Sequence, residues 1–156
     1  MVASGDILDT IVGIWQLVNT TNFESNGTSI NTEPQAGILT YHKYGYMSAN
    51  TMSTVPEFRP EGLTWPPQDN QTDLDWATVA RHTLGYSGPF SINQSTANTG
   101  FITHGPLYVA DIPSWVGTEQ LRPYTLTKGK EETILRFTLI NDENGRESNL
   151  YWKKLS

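Results

Sequence analysis

Three histidines are the side chains of this sequence best suited to move protons near neutral pH. His104 lies in the middle of a predicted strand, residues 99–110, from which its ring can project into an interior. Burial there would keep the imidazole neutral and able to act as a base. The alternative is a structural histidine that hydrogen-bonds a neighbour. His82 lies on a predicted helix, where it is either solvated or turned towards a ligand, and His42 adjoins a hairpin tip at the surface.

Arg122 is the second candidate for chemistry, because strand alternation places it on one face of a sheet with Thr118 and Gln120. A guanidinium that turns inwards is costly to bury unless an anion, a carboxylate or an enolate-like oxygen meets it. Arg122 is therefore a candidate stabiliser of an oxyanion, and Gln120 is a candidate ligand contact. Two alternatives stay open for Arg122: a salt bridge, or a cation over the ring of Trp15.

Aromatic side chains supply the remaining candidates. Tyr41 and Tyr46 belong to a predicted hairpin whose strand faces should enter an interior, where a phenol can hydrogen-bond a carbonyl or hydroxyl group. We assign Tyr41 a catalytic role with His104 and Arg122. The residues predicted to contact a ligand are Tyr46, Trp65, Trp76, His82, Tyr86, Tyr108, Trp115 and Gln120.

Motifs for nucleotide, phosphate or zinc binding are absent from the sequence, as is the Gly-x-Ser-x-Gly sequence of a serine nucleophile. The chain has no cysteine, so it has no disulfide, thiolate nucleophile or thiolate metal ligand. None of the histidines has a ligand partner two or four residues further on. We therefore predict neither a metal nor a cofactor.

Segments rich in Thr, Tyr, Val, Ile and Phe, separated by Asn, Asp, Gly and Lys-Gly turns, predict about eight strands. They cover residues 14–21, two strands within 37–50, and residues 90–93, 99–110, 118–127, 133–141 and 147–155. Pro56, Pro60, Pro66 and Pro67 exclude regular structure between residues 54 and 71. This pattern predicts a mainly β protein, a closed antiparallel barrel.

Two helical segments complete the prediction. A short turn near the start places Ile7, Leu8 and Ile11 on one side, where they can cover the closed end of the barrel. Thr72 with Asp75 resembles a capping box at the start of a longer helix. Its apolar face comprises Leu74, Ala77, Ala80 and Leu84, and Gly85 and Gly88 end it. With the proline-rich segment, this helix is expected to cap the open end.

Two tryptophans near the ends of the chain suit a barrel that closes by pairing its first and last strands. Gly13 allows a tight turn into the first strand, and Trp15 can fill the barrel floor. Lys153 or Lys154, which follow Trp152, can cover the indole of Trp15 as a cation. These positions place the first and last strands side by side.

Several short motifs follow the Gly-x-Trp sequence in a characteristic order. They are residues 41–49, 86–90 and 113–118, the Thr103-His104 pair and Arg122. From residue 11 to residue 154 the chain resembles the lipocalin-like domain family of calycin-type β-barrels. The resemblance implies a barrel with a cavity and gives His104 the Thr-His position of the family. It also extends to small fungal members that look like pathway enzymes for polyketide-type metabolites.

Length and charge limit the partners. The chain has 156 residues, enough for one domain over residues 1–156 with one core. The net charge is −6 and basic runs are absent, so neither nucleic acid nor a membrane is expected as a partner. The start lacks the features of a signal peptide, so we expect a cytoplasmic protein. The sequence is compatible with either a monomer or a homo-oligomer.

Two functions fit these observations. The first is a cofactor-independent cyclase or isomerase of a polyketide-derived or similar small metabolite, acting by oxygen-ring closure (hydroalkoxylation) or cycloaddition. Holding a flexible substrate in one geometry lowers the barrier, so few catalytic groups are needed. The second is a carrier that only binds a hydrophobic or aromatic metabolite, and fold alone does not separate the two. We favour the enzyme.

Overall fold

The computed structural model describes the backbone of residues 4–156 and the side chains of residues 7–156. Within this range one ten-stranded sheet is accompanied by two α-helices, α1 (Ser4–Ile11) and α2 (Asp73–Arg81). Short 3-10 turns cover Pro56–Phe58 and Pro113–Trp115. The strands are β1 (Gly13–Phe23), β2 (Ser29–Ile30), β3 (Gln35–His42), β4 (Tyr46–Ser53), β5 (Thr83–Gln94), β6 (Thr99–His104), β7 (Val109–Ala110), β8 (Gln120–Lys128), β9 (Thr133–Ile140) and β10 (Glu147–Lys154).

Eight of the strands form a closed antiparallel barrel. Their order is β1, β3, β4, β5, β6, β8, β9 and β10, and β10 pairs back with β1. The two-residue strands β2 and β7 pair with β1 and β5. The predicted barrel is confirmed, but residues 99–110 are not one strand: β6 ends at His104, where Gly105 turns the chain with a φ of 128°.

Trp15 fills the closed end of the barrel. Its side chain is fully buried, and its indole N–H donates to the carbonyl oxygen of Ile11 at 2.8 Å. The ammonium of Lys154 lies 5.5 Å from the centroid of the Trp15 ring and donates to the carbonyl oxygen of Thr10 at 2.6 Å. Ile7 and Ile11 of α1 belong to the same buried core. The predicted tryptophan plug with its lysine cover is confirmed.

Gly13 begins β1 beside the last residues of the chain. Its φ is 133°, and a Cβ atom at this position would overlap the carbonyl oxygen of Ser156. We expect Gly13→Ala to lower the free energy of unfolding by about 2 kcal/mol or more, because the clash adds to the strained φ. Urea unfolding measures the loss.

Gly27→Ala is the matched control for this variant. Gly27 also has a positive φ, 85°, but a Cβ atom there would meet nothing within 4 Å. Gly27→Ala therefore measures how much stability is lost when a residue with a Cβ atom adopts a positive φ without a clash. Equal losses of stability in the two variants would contradict the role of the barrel seam at Gly13.

The helix α2 differs from its prediction at the C-terminal end. Thr72 caps it as predicted, because the hydroxyl of Thr72 accepts a hydrogen bond from the backbone N–H of Asp75 at 3.1 Å. The helix ends at Arg81, however, and Leu84 belongs to β5, because sheet pairing with β4 prevails over the helical spacing. Leu74 is 70% exposed, so the predicted apolar face of α2 is not buried.

Candidate active site in the barrel

A cavity of about 300 Å³ lies in the barrel interior. Its inner wall is formed by buried and half-buried side chains of six strands and the turn before β8. They are Leu39, Ala49, Thr51, Leu84, Tyr86, Trp115, Arg122, Phe137, Leu139, Leu150 and Trp152. At one end of the cavity, exposed or half-buried residues form what we call the rim, namely Glu33, Gln35, Arg81, His82 and Thr83.

The inner wall is mainly apolar and carries few polar groups. The volume equals that of about ten molecules of liquid water and lies at the lower end for ligand pockets. The polar side chains on the inner wall include those of Thr51, Tyr86 and Arg122. Within the described part of the chain, the Trp152 N–H is buried without an acceptor. The cavity therefore suits a small, mainly apolar molecule with an acceptor oxygen.

His104 lies behind Tyr86 and does not line the cavity. Its side chain is 0% exposed, and its Nδ1 and Nε2 lie 3.0 Å from the Tyr86 hydroxyl and 2.5 Å from the Tyr41 hydroxyl. Burial holds the pKa of His104 well below its ordinary value, and the charge of Arg122 lowers it further. The imidazole of the folded protein is therefore neutral.

The available protons fix the direction of these hydrogen bonds. Burial raises the pKa of Tyr41 well above its ordinary value, so its hydroxyl keeps its proton. Among the described residues that proton has one acceptor, His104 Nε2. The neutral imidazole then carries its own proton on Nδ1 and donates it to the oxygen of Tyr86. The Tyr86 hydroxyl is left free to donate into the cavity.

Arg122 stands on the cavity side of Tyr86. Its Nη2 lies 3.5 Å from the Tyr86 hydroxyl oxygen, and its Nη1 donates to the carbonyl oxygen of Leu121 at 3.2 Å. No carboxylate pairs with Arg122 within residues 7–156, and the cation over Trp15 is Lys154. Among the residues whose side chains are described, the structure therefore supports neither structural alternative for Arg122. An uncompensated guanidinium on an apolar wall favours a negatively charged or strongly polarised oxygen beside it.

The buried state of His104 predicts a loss of stability at mildly acid pH. The pKa of His104 is lower in the folded than in the unfolded protein, so below about pH 6.5 the unfolded chain binds a proton that the folded protein does not. Stability is therefore lost as the pH falls from there towards the folded pKa. We expect the equilibrium constant for unfolding to rise by about tenfold between pH 7.5 and pH 5.5 because of this residue.

The measurement is urea unfolding across this pH range for the wild type and for His104→Gln. The variant is less stable at every pH, but it lacks the tenfold rise because glutamine does not titrate. His42→Gln is the matched control, since His42 is exposed at the hairpin between β3 and β4. An unchanged pH slope in His104→Gln would show that another group causes the dependence.

The rim carries a second pair of titratable groups. Nδ1 of His82 lies 3.1 Å and 3.3 Å from the two carboxylate oxygens of Glu33. The ring of Phe58 stacks on the imidazole, with centroids 3.7 Å apart and an angle of 4° between the planes. His82 follows the last residue of α2, and Glu33 lies just before β3. Of the two alternatives for His82, the structure supports the one in which it faces the cavity.

Three of the predicted ligand contacts lie outside the barrel. Trp65 is 88% exposed in the proline-rich segment, and Tyr108 is 64% exposed between β6 and β7. Tyr46 is 50% exposed because it alternates with the buried Met47 and so takes the outer face of β4. None of these three residues lines the cavity, and their contact with a ligand stays a prediction.

The other predicted residues occupy three kinds of position. Tyr86, Trp115, His82 and Arg122 line the cavity. Tyr41 and His104 lie behind its wall and reach it only through Tyr86. Neither Trp76 nor Gln120 lines it: Trp76 is half-buried within α2, and the amide of Gln120 donates to the Thr118 hydroxyl at 3.3 Å.

The sequence-based prediction did not include two groups of cavity-lining residues. Phe137 and Leu139 of β9, with Leu150 and Trp152 of β10, follow the two-residue alternation of inward positions, which could have identified them. Glu33 gives no such signal, because it lies in the connection between β2 and β3. Its place beside His82 depends on the pairing of β4 with both β3 and β5.

No cluster of three or more His, Asp or Glu side chains that could hold a metal ion occurs in the described part of the chain. The polar side chains of the inner wall include a threonine hydroxyl, a phenol and a guanidinium, and the inner wall carries no histidine or carboxylate ligand for a metal ion. No helix within residues 4–156 is long and apolar enough to cross a membrane.

A closed antiparallel barrel around an apolar cavity defines a small-molecule-binding β-barrel. The family model described as the lipocalin-like domain matches residues 12–155, and the chain belongs to this family. The expected resemblance is thus confirmed. Neither a curated protein nor a solved structure is significantly similar to the chain.

Proposed function

We propose that this protein binds a small, mainly apolar molecule in its barrel and isomerises or cyclises it by proton transfer without a cofactor. The observation that carries the proposal is the position of Tyr86 on the cavity wall. Its oxygen lies 3.0 Å from His104 Nδ1 and 3.5 Å from Arg122 Nη2. Both neighbours are N–H donors, so they stabilise the charge that Tyr86 acquires when it gives up its proton.

In this proposal Tyr86 is the acid, and His104 and Tyr41 are positioning residues. Tyr41 donates to Nε2 of His104 and thereby fixes the His104 proton on Nδ1, which holds the Tyr86 oxygen in place. Arg122 supplies the positive charge that meets an oxyanion on the bound molecule. This assignment moves the catalytic role from His104 and Tyr41 to Tyr86, because Tyr86 alone of these three residues lines the cavity.

The reactions that fit need a polarised carbonyl oxygen and leave the mass of the molecule unchanged. Closure of an oxygen ring by addition of a hydroxyl to an enone is one, and migration of a double bond through an enol is another. Polyketide-derived metabolites carry such carbonyl groups, and a cavity of about 300 Å³ admits one or two fused rings. The metabolite itself is a prediction from the family resemblance.

A carrier is the second candidate function. It is supported by the mainly apolar inner wall, which offers a hydrophobic ligand a dry surface whether or not it reacts. In a carrier, Arg122 would only hold an acceptor oxygen of the ligand. The enzyme and the carrier therefore share a binding site and differ in the fate of the ligand.

A panel of small enones and β-diketones tests the proposal, with 2′-hydroxychalcone as its central member. The phenol of 2′-hydroxychalcone adds to its own enone to give flavanone with no change in mass. Binding is measured by quenching of tryptophan fluorescence, since Trp115 and Trp152 line the cavity. Conversion is measured by chromatography with mass spectrometry, as a shift of retention time at constant mass.

We expect at least one member of the panel to be converted faster than in buffer, with saturation. Binding of panel members without conversion of any would overturn the enzyme and support the carrier. Neither binding nor conversion across the panel would overturn both functions.

A further inference from the structure

We propose that Glu33 and His82 form a base at the rim, in which His82 takes a proton from the bound molecule and Glu33 positions its ring. This inference rests on the proposed function, to which it adds the base that complements the acid Tyr86. It gives the cavity proton-transfer groups both on its inner wall and at its rim.

The contacts of His82 fix which nitrogen can act. A carboxylate only accepts hydrogen bonds, so Nδ1, at 3.1 Å and 3.3 Å from the Glu33 oxygens, carries the proton of the neutral ring. Nε2 then holds a free lone pair, and it has no partner among the described residues. His82 is half-buried on the rim, so a molecule in the cavity can reach this nitrogen.

Phe58 and Glu33 together hold the His82 ring. The phenyl ring of Phe58 lies parallel to the imidazole at 3.7 Å and fixes its plane. Glu33 fixes its rotation about that plane through two contacts. A carboxylate on Nδ1 also stabilises the imidazolium that forms when Nε2 accepts a proton. The pair thus has the arrangement of a carboxylate-oriented general base.

The proton balance of the step is complete without another reactant. His82 Nε2 takes a proton from a hydroxyl or an activated carbon of the bound molecule. The electron pair left behind forms the new C–O bond of a ring closure, or delocalises into an enolate. The carbonyl oxygen that gains negative charge is met by Arg122 and protonated by Tyr86. The imidazolium of His82 then gives its proton, directly or through water, to the carbon of the enol. As the carbonyl group forms again, the enol oxygen returns its proton to Tyr86, so both residues regain their starting states.

A probe that reports proton abstraction by itself is 5-nitrobenzisoxazole. Removal of its ring C–H proton by a base breaks the N–O bond and gives 2-cyano-4-nitrophenolate, which is followed by its absorbance. The molecule is flat, apolar and small enough for a cavity of about 300 Å³. Its developing phenolate oxygen needs the donors that Tyr86 and Arg122 provide.

We expect the wild type to accelerate this elimination with saturation kinetics. His82→Gln should lower kcat by roughly 10²-fold, as loss of a general base does. Added imidazole should restore part of the rate lost in His82→Ala, because this truncation leaves space in which a free base can replace the missing ring. Glu33→Gln should lower kcat by roughly tenfold with little change in KM, since it removes only the orienting charge. His42→Gln, the same substitution at an exposed histidine, should match the wild type.

Three results overturn the inference. They are a wild type no faster than His82→Gln, a folded His82→Ala that imidazole does not rescue, and a Glu33→Gln with unchanged kcat. If His82→Gln does not fold, Glu33→Gln decides alone. Conversion of the enone panel by the wild type and equally by His82→Gln would end the inference while leaving the proposed function intact. A wild type that neither binds nor converts any member of the panel would end both the inference and the proposed function.

Discussion

Tyr86→Phe is expected to lower the turnover of a converted enone by roughly 10²–10³-fold, with a small change in its dissociation constant. The substitution removes one hydroxyl from the cavity wall and leaves the ring, so the edge-on packing with Trp115 at 5.6 Å between centroids is kept. What is lost is the proton donor held by His104 Nδ1 and Arg122 Nη2. The measurement is kcat and KM for any panel member that the wild type converts.

Tyr108→Phe is the matched control for Tyr86→Phe. It removes the same hydroxyl from a tyrosine outside the barrel, so its kinetics should equal those of the wild type. The stability of Tyr86→Phe should also be followed, because the Nδ1–H of His104 then lacks its acceptor and costs roughly 1–3 kcal/mol. Turnover in folded Tyr86→Phe equal to that in Tyr108→Phe would remove Tyr86 from the mechanism.

The barrel was predictable because its signals are local and repeated. Alternation with a period of two depends only on neighbouring residues in the chain, and it identified most strands and the inward face of Arg122. The seam was predictable for a different reason, since Gly13 and Trp15 at one end and Lys154 at the other serve a closure that few folds need. The predicted α2 is too long because Leu84 fits a helical spacing and a strand alternation equally well.

The site was only partly predictable, because its contacts join distant parts of the chain. Tyr41 and His104 are 63 residues apart, and Glu33 and His82 are 49 residues apart. Alternation says that a side chain points inwards but not at which height in the barrel it lies. His104 was therefore identified as an interior histidine, while its place behind Tyr86 depends on the register of β5 with β6, in which Phe90 faces His104. Trp65 was predicted to contact a ligand because it is aromatic, but residue type alone does not say that its side chain is exposed and away from the cavity.

Arg122→Gln is expected to separate the enzyme from the carrier. Arg122 has no carboxylate partner within the described residues, so its charge is available to a bound molecule. In an enzyme the charge matters most when an oxyanion develops, and the variant should lower kcat for a neutral enone by roughly 10²–10³-fold while its dissociation constant changes little. Arg122→Lys keeps the charge but not the planar guanidinium group, so its kcat should lie between those of the wild type and Arg122→Gln.

A carrier that uses Arg122 to hold an anion gives a different result with a matched pair of ligands. Cinnamate and benzylideneacetone share one apolar body and differ in a carboxylate and a methyl ketone. For a carrier of anions, Arg122→Gln should raise the dissociation constant of cinnamate by roughly tenfold or more. The dissociation constant of benzylideneacetone should stay unchanged, because only the anion loses a charge-assisted hydrogen bond. Fluorescence titration of both ligands measures this difference. If the variant alters neither the binding of cinnamate nor the turnover of an enone, Arg122 serves neither function.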